Sequence, residues 1–297
     1  MKIVIAGGTG YLGQLLTNYF KKDKKNRIFI LSRHQQINSN NIHYLQWNGK
    51  EEGYWTSFLE NTDVLINLTG KSVNCRYTKE NKEEIYKSRI DSTNILCQVI
   101  QKLENPPKVF IQSSSATIYR HSEDKIMTEK RGEIGIDFSM DVCKKWEMVF
   151  NSFDLPKTKK IITRTSIVLG NKGGAFPIIK RLTRFGFGGK QGSGKQFISW
   201  ISEEDYVRSI LHLINQDKGV YNVCVPNPLM NETFQRKLRK KLGVLIGFQT
   251  PKWCLKFGAI FIGTEPELIL KSRRVYPEKL LNTGFVFKTS HFEAFNI

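Results

Sequence analysis

The sequence predicts an α/β fold: a doubly wound parallel sheet with a smaller, mostly helical C-terminal substrate lobe. Three observations carry this. Short β-branched runs alternate with longer helical windows over the first 170 residues. Most of the runs are continuously apolar, as strands are when helices cover both faces of their sheet. A chain of 297 residues, 40% hydrophobic and 25% charged, can bury a large core, which excludes a disordered or fibrous protein.

In chain order, Lys2 to Ala6 reads as the first strand and Tyr11 to Lys22 as the helix that follows it. Ile28 to Leu31, Ile42 to Trp47 and Val64 to Leu68 are the next three strands, and Lys79 to Lys102 is a long helix. Lys108 to Ser113, a helix over Asp137 to Phe153, and Lys160 to Thr165 complete a six-stranded pattern. Beyond about residue 170 the texture changes: a glycine-rich stretch from Gly186 to Gly194, Trp200, a helix over Glu203 to Asn215, a strand at Val220 to Val223, then further helical segments. The division expected is a sheet domain over 1–170, with a contribution from about 200–225, and a lobe over 171–297. There is no internal repeat and no long linker, so the two parts should pack together with a cleft at the C-terminal ends of the strands.

The charge balance, 46 Lys and Arg against 27 Asp and Glu, leaves a net +19 and a sequence pI near 9.7. That raises nucleic acid or an anionic membrane as partners. The basic residues are scattered in small groups at predicted helix ends and faces, which favours a solvated lysine-rich surface and disfavours nucleic acid. Cysteines 75, 97, 143, 224 and 254 form no C-x-x-C pair and no spacing with His suited to a metal, so no metal site is expected and free thiols in a reducing compartment fit. The opening apolar run is too short for a signal-peptide core, and Trp253 to Gly263, interrupted by Lys256, is too short to span a bilayer. A cytoplasmic protein without a membrane segment is the expectation.

The first strand runs directly into Gly7-Gly8-Thr9-Gly10-Tyr11-Leu12-Gly13 and a helix. In this setting Gly7 permits the tight turn, Gly10 lets the backbone approach a pyrophosphate, and Gly13 lets the helix pack against the strand. The diphosphate would rest on the free N–H groups of the helix start, including Tyr11 and Leu12. At the end of the second strand stand Leu31-Ser32-Arg33-His34, with no carboxylate between Asp23 and Glu51. A carboxylate there would bind a ribose 2′-OH, whereas an arginine accommodates a 2′-phosphate, so NADP is favoured over NAD unless Arg33 is an ordinary surface residue.

These residues resemble the extended short-chain dehydrogenase/reductases, and more narrowly their atypical epimerase-family branch with its C-terminal extension. The likeness rests on Gly7 to Gly13, Asn67 to Gly70, Ser88-Arg89, Ser113 to Tyr119, Arg164 to Gly170, Gly192 to Gly194, Ser199 to Ile201 and Pro226-Asn227-Pro228. Ser272 to Leu280 and Gly284 to Phe287 look like the extension. The resemblance implies a Rossmann-type domain that binds NADP, with Ser32 and Arg33 near the 2′-phosphate. It also implies Leu68, Thr69, Gly70 and Ser113 along the groove, and an approach to the cofactor by Glu84, Arg89 and Ile167. Glu84 and Arg89 read equally as surface helix charges. The two long helices would form a dimer face in many relatives, which makes a homodimer one option.

The superfamily at large uses a Ser or Thr, a Tyr, and a Lys four residues on whose ammonium lowers the phenol pKa. Ser115 matches the serine. Aligning the helix on Trp146 and Glu147 puts Ser139 at the Tyr position and Cys143 at the Lys position, and neither can do the missing work. Tyr119 is the substitute proton donor to consider; Glu123, not Lys, lies four residues on, and Lys125 is a conceivable helper. The competing reading is that Tyr119 shapes the pocket without titrating.

Gly189 to Lys195 matches G-x-x-x-x-G-K but is followed by Gln196 where a P-loop needs Ser or Thr, and His121-Ser122-Glu123 lacks the cysteines of a zinc deaminase. The glycine stretch is expected as a substrate-side loop, Asp205 and Arg208 as an exposed or interface ion pair, and Trp200 as either a pocket wall or core. Three functions stay open: an NADP-dependent oxidoreductase or epimerase of an unknown small carbonyl or sugar-like substrate, a catalytically silent NADP sensor that signals to a partner, and a nucleic-acid binder.

Overall fold

The computed structural model describes residues 1–263 and 265–297, with the side-chain surroundings of 259–262 left aside. Strands β1 (Lys2–Ala6), β2 (Arg27–Ser32), β3 (Ile42–Gln46), β4 (Val64–Asn67), β5 (Val109–Ser115) and β6 (Lys159–Thr165) are the six expected runs. The short β7 (Ile167–Leu169), β8 (Phe197–Ile198) and β9 (Trp200–Ser202) follow, then β10 (Gly219–Val223) and β11 (Leu229–Met230). The main sheet is entirely parallel, in the order β10-β6-β5-β4-β1-β2-β3, so the chain winds outward from β1 in both directions. β10 comes from the C-terminal half and closes the β6 edge, with Val223 opposite Thr165. β7 pairs with β9 and β8 with β11 in two small ribbons beside the sheet.

The period of two in each strand sorts its side chains into two layers. Ile3 and Ile5 of β1 face one side, packed with Leu16 and Phe20 of α1 (Tyr11–Phe20), while Val4 and Ala6 face the other with Ile95, Leu96 and Ile100 of α2 (Lys79–Lys102). Both layers are buried, which is why the strands read as unbroken apolar runs. α2 starts at Thr78, whose hydroxyl accepts from the Asn81 N–H. α3 (Phe138–Ser152) packs beside α2 over β5, with Phe150 against Phe110.

The remaining helices are α4 (Phe176–Leu182), α5 (Glu203–Leu213), α6 (Asn231–Leu242), α7 (Lys252–Ile262), α8 (Glu267–Leu270) and α9 (Glu278–Asn282). Trp253 to Gly263 falls largely on α7, partly outside the described side chains; among the described residues no helix is long and apolar enough to cross a membrane. Asp205 corrects the expected surface ion pair. Its carboxylate is fully buried and accepts from Arg208 at 2.7 Å and from the Lys288 and Thr289 N–H groups at 2.9 and 2.8 Å. It thereby ties the C-terminal segment to α5. Trp200 is core, fully buried against Phe292 and Phe295.

Candidate functional site

The parallel topology brings the C-terminal ends of β1, β2, β4, β5 and β6 to one edge, where the glycine loop turns into α1. Gly7 has φ +76°, and a Cβ on it would lie 2.9 Å from the Leu68 carbonyl carbon, so the β1 and β4 ends meet there backbone to backbone. A Cβ on Gly13 would lie 2.5 Å from Gly8 Cα, the close packing of helix on loop that the spacing predicts. A Cβ on Gly10 would meet only the Gly7 oxygen, at 3.4 Å, and otherwise open space. Gly10 caps α1 without any side-chain bond, and the first helical hydrogen bond runs from Gln14 N to Gly10 O. The N–H groups of the first helical turn therefore face that opening unsatisfied, with the positive end of the helix dipole behind them. This is a cradle of phosphate size and sign.

Around the cradle, Tyr11 donates to Glu203 of α5 at 3.0 Å, locking the loop to the C-terminal half. Ser32 is buried and its hydroxyl accepts from the His34 N–H, while Arg33 is exposed and forms no ion pair among the described residues. A hollow of about 330 Å³ lies beside the glycine loop, lined by Gly8, Thr9, Lys21, Gln36 and Ser39 among others. Beyond β4, the Thr69 hydroxyl is buried without a partner. Gly70 leaves room for the Arg89 guanidinium, 2.9 Å from where its Cβ would be; Arg89 also lies over Trp146 at 5.2 Å, and burial lowers its pKa. Arg89 is thus packed between Gly70 and Trp146 and is not a surface charge. Glu84 is exposed and engaged by Lys71. Ile167 is half-buried, its N–H directed at the Ser199 oxygen.

The candidate catalytic positions are less conventional. Ser115 caps a short 3-10 turn at the end of β5: its Oγ accepts from the Thr117 N–H and donates to the Thr117 hydroxyl at 3.0 Å. Ser113, two residues back, is half-buried on the same strand. Tyr119 does not reach the groove, which corrects its reading as a proton donor. It is fully buried; its hydroxyl donates to Asn222 Oδ1 at 2.9 Å and accepts from Arg164 at 2.9 Å, and its ring lies so close to Gly132 that a Cβ there would stand 2.2 Å from it. Burial raises the phenol pKa, outweighing the Arg164 charge that lowers it. Lys125 is engaged by Glu133, so it gives Tyr119 no help.

On α3, Ser139 is buried with its hydroxyl unpartnered, and Cys143, one turn on, is 5% exposed. Burial pushes the Cys143 thiol up to about 12, so it is neutral at physiological pH. Beneath lies a network that sequence reasoning did not find. Glu147 takes Arg164 in a two-pronged pair at 2.9 and 2.7 Å and accepts from Ser114 at 2.6 Å, while Arg164 reaches on to Tyr119. Glu147 and Arg164 are 17 residues apart on different elements, and only a buried-polar argument applied after folding pairs them. Among the described residues there is no cluster of three potential metal ligands.

Residues 3–135 match the NAD dependent epimerase/dehydratase family, and 250–295 match DUF1731, a domain of unknown function. An epimerase family protein of Staphylococcus aureus (strain MRSA252) is 33% identical over 293 residues, 98% of this chain and 96% of that protein. The chain belongs to the epimerase family. Another member, from Staphylococcus saprophyticus, is 32% identical over 289 residues, covering 96% of this chain and 94% of the relative. Among solved structures this epimerase-family chain resembles the human epimerase family protein SDR39U1 (isoform 2) with NADPH, at TM-score 0.88 and 25% identity over 99% of this chain and 97% of that one. It also resembles a nucleoside-diphosphate sugar epimerase from Corynebacterium glutamicum, at TM-score 0.77 and 25% identity over 99% of this chain but 57% of the other.

Proposed function

We propose that the protein binds NADP(H) along the edge from the glycine loop to Cys143 and acts as an oxidoreductase or epimerase on a small carbonyl or sugar-like substrate. The observation that carries the reading is the Gly7 to Gly13 cradle, with unsatisfied N–H groups and an opening at Gly10 that any side chain would fill. The NADPH in the human relative supports the same cofactor. The α1 start would hold the diphosphate, and Arg33 the 2′-phosphate. Thr69, Gly70 and Arg89 line the path from the diphosphate toward the reacting end. When bound, the nicotinamide would supply or accept hydride; the protein's part is orientation, exclusion of water and a hydroxyl at Ser115 for the substrate oxygen.

One observation favours a second reading, nucleotide binding without turnover. Tyr119 is sequestered and the Cys143 thiol is held neutral, so neither of these groups exchanges a proton near pH 7. The test is calorimetric titration with NADP and NAD in both redox states, for wild type and Arg33→Ala. NADP should bind more tightly than NAD, and the variant should close most of that gap, by about 10- to 100-fold for a lost charge-assisted phosphate contact. Absence of binding by either nucleotide refutes both readings. NADPH consumption with a panel of carbonyl compounds then separates them.

A further inference from the structure

Arg273 lies in the C-terminal extension, on an extended segment clamped on both sides. Its N–H donates to the Phe197 oxygen at 2.9 Å and its carbonyl accepts from Ser199 at 2.7 Å. Its neighbours Ser272 and Arg274 bond to the loop oxygens of Ser122 and Asp124, which leaves Arg273 and Val275 for the opposite side. Val275 packs in the cluster that holds Cys143 and Tyr119, so the Arg273 side is the α3 side.

Its guanidinium is not used by the fold. Nε and Nη2 are shielded from solvent and have no hydrogen-bond partner; Nη1 makes one long contact, 3.5 Å, to the Lys271 oxygen. Arg273 forms no ion pair among the described residues. The carboxylates whose charge reaches it, Glu267 and Asp137, are both engaged by Lys271, at 2.7 and 2.8 Å. Among the described residues the Tyr77 and Ser139 hydroxyls and Glu267 Oε1 are buried and unpartnered too. Burial pulls the Arg273 pKa down, with the Tyr77 and Cys143 side chains close enough to act on it.

Nε and Nη2 form the side-on edge of the guanidinium fork, whose two parallel N–H vectors match the two oxygens of a carboxylate. An arginine held by a rigid backbone with that edge shielded and unpaired is costly to keep unless something binds there. We propose that Arg273 anchors a carboxylate of the substrate, with Tyr77 and Ser139 as further donors, so that the substrate is a short carbonyl or hydroxy acid. This rests on the site assignment of the preceding section. Cys143 is close enough to act on the Arg273 charge, and in the proposed placement of the cofactor that is the reacting end of the groove. A nucleotide-linked neutral sugar carries its only anion, the phosphates, at the far end from its reacting carbon, whereas an acid places its carboxylate near the carbonyl. The unpartnered Glu267 Oε1 can accept from a neighbouring hydroxyl on the same molecule.

The probe is oxalate, a two-carbon dianion without chemistry of its own, titrated into the full chain with and without saturating NADPH. Neutral oxamide and inorganic phosphate are the comparison ligands. Wild type should bind oxalate and not oxamide. Arg273→Met should weaken oxalate by about 30-fold or more, and Arg273→Lys by about 10-fold, because an ammonium supplies charge without the fork. NADPH affinity should stay within about twofold in both variants, and Arg273→Met should melt no lower than wild type, since a vacant buried charge stabilises nothing. The proposal is overturned if wild type ignores oxalate, if the three proteins bind it equally, or if phosphate binds more tightly than oxalate. It is also overturned if Arg273→Met melts well below wild type, which would reveal a structural partner. Failure of NADPH to bind refutes the cofactor reading alone, because the nucleotide-free titration still judges Arg273.

Discussion

Glu147→Leu is the most demanding test of how the reacting end is held. Glu147 and Arg164 are 8% and 11% exposed at their side chains, and the pair is two-pronged, at 2.9 and 2.7 Å. The substitution keeps an apolar bulk but strands a buried guanidinium whose remaining bond is to the Tyr119 hydroxyl, and it also frees the Ser114 hydroxyl. Removing one partner of a buried pair costs about 3 to 5 kcal/mol. Unfolding entropy of about 2.1 cal/mol/K per residue over 297 residues is roughly 0.6 kcal/mol/K, so the melting temperature should fall by about 5 to 8 °C. The assay is differential scanning calorimetry on Glu147→Leu, Arg164→Met and the double variant. The double variant should recover most of the loss, because no charge is then left unpaired. A Glu147→Leu shift below about 1 °C, of the size seen for surface substitutions, refutes the reasoning, as does a double variant that loses the sum of the singles.

The glycines give a paired prediction. Gly13→Ala puts a Cβ 2.5 Å from Gly8 Cα, so both thermal stability, by about 1 to 3 kcal/mol, and nucleotide binding should suffer. Gly10→Ala meets nothing closer than 3.4 Å and has an extended φ of −74°, so calorimetry should find unchanged stability with nucleotide binding lost. The cysteines predict an alkaline limit: burial pushes the Cys97 and Cys143 thiols up to about 12 from an ordinary 9. The native state then holds protons that the unfolded chain has released, so stability should fall as pH rises from about 9 toward 12. Both thiols should resist alkylation at pH 8 in the native protein; chemical denaturation across that range and mass-resolved alkylation check the two outcomes.

Periodicity and punctuation made the main sheet legible. Continuous apolar runs such as Ile3 to Ala6 can only be strands covered on both faces, and the steric demands of Gly7, Gly10 and Gly13 are local, readable from seven consecutive residues. Arg33 was proposed from its place at the end of the second strand, and Ser32 and Thr69 from the family resemblance; parallel topology puts every strand's C-terminal end at the same edge. The fate of Tyr119 was not legible. Its spacing from Ser115 suggested a proton donor, but its direction was decided by the nearby loop at Gly132 and by Arg164 and Asn222, which are distant in the chain and meet only when β6 and β10 pair. Asp205 likewise looked like a surface charge until the segment at Lys288 and Thr289 folded over it.

By itself, then, the sequence determined the sheet, its winding and the nucleotide cradle, since each depends on backbone geometry and on neighbours within a few residues. The tertiary structure alone decided which polar groups spend their hydrogen bonds on one another and which are left free. Glu147, Arg164 and Tyr119 are consumed by the fold, whereas among the described residues the Thr69 and Ser139 hydroxyls and Nε and Nη2 of Arg273 are shielded with bonds unmade. Partnering of buried polar atoms depends on long-range packing, and composition and spacing carry no record of it.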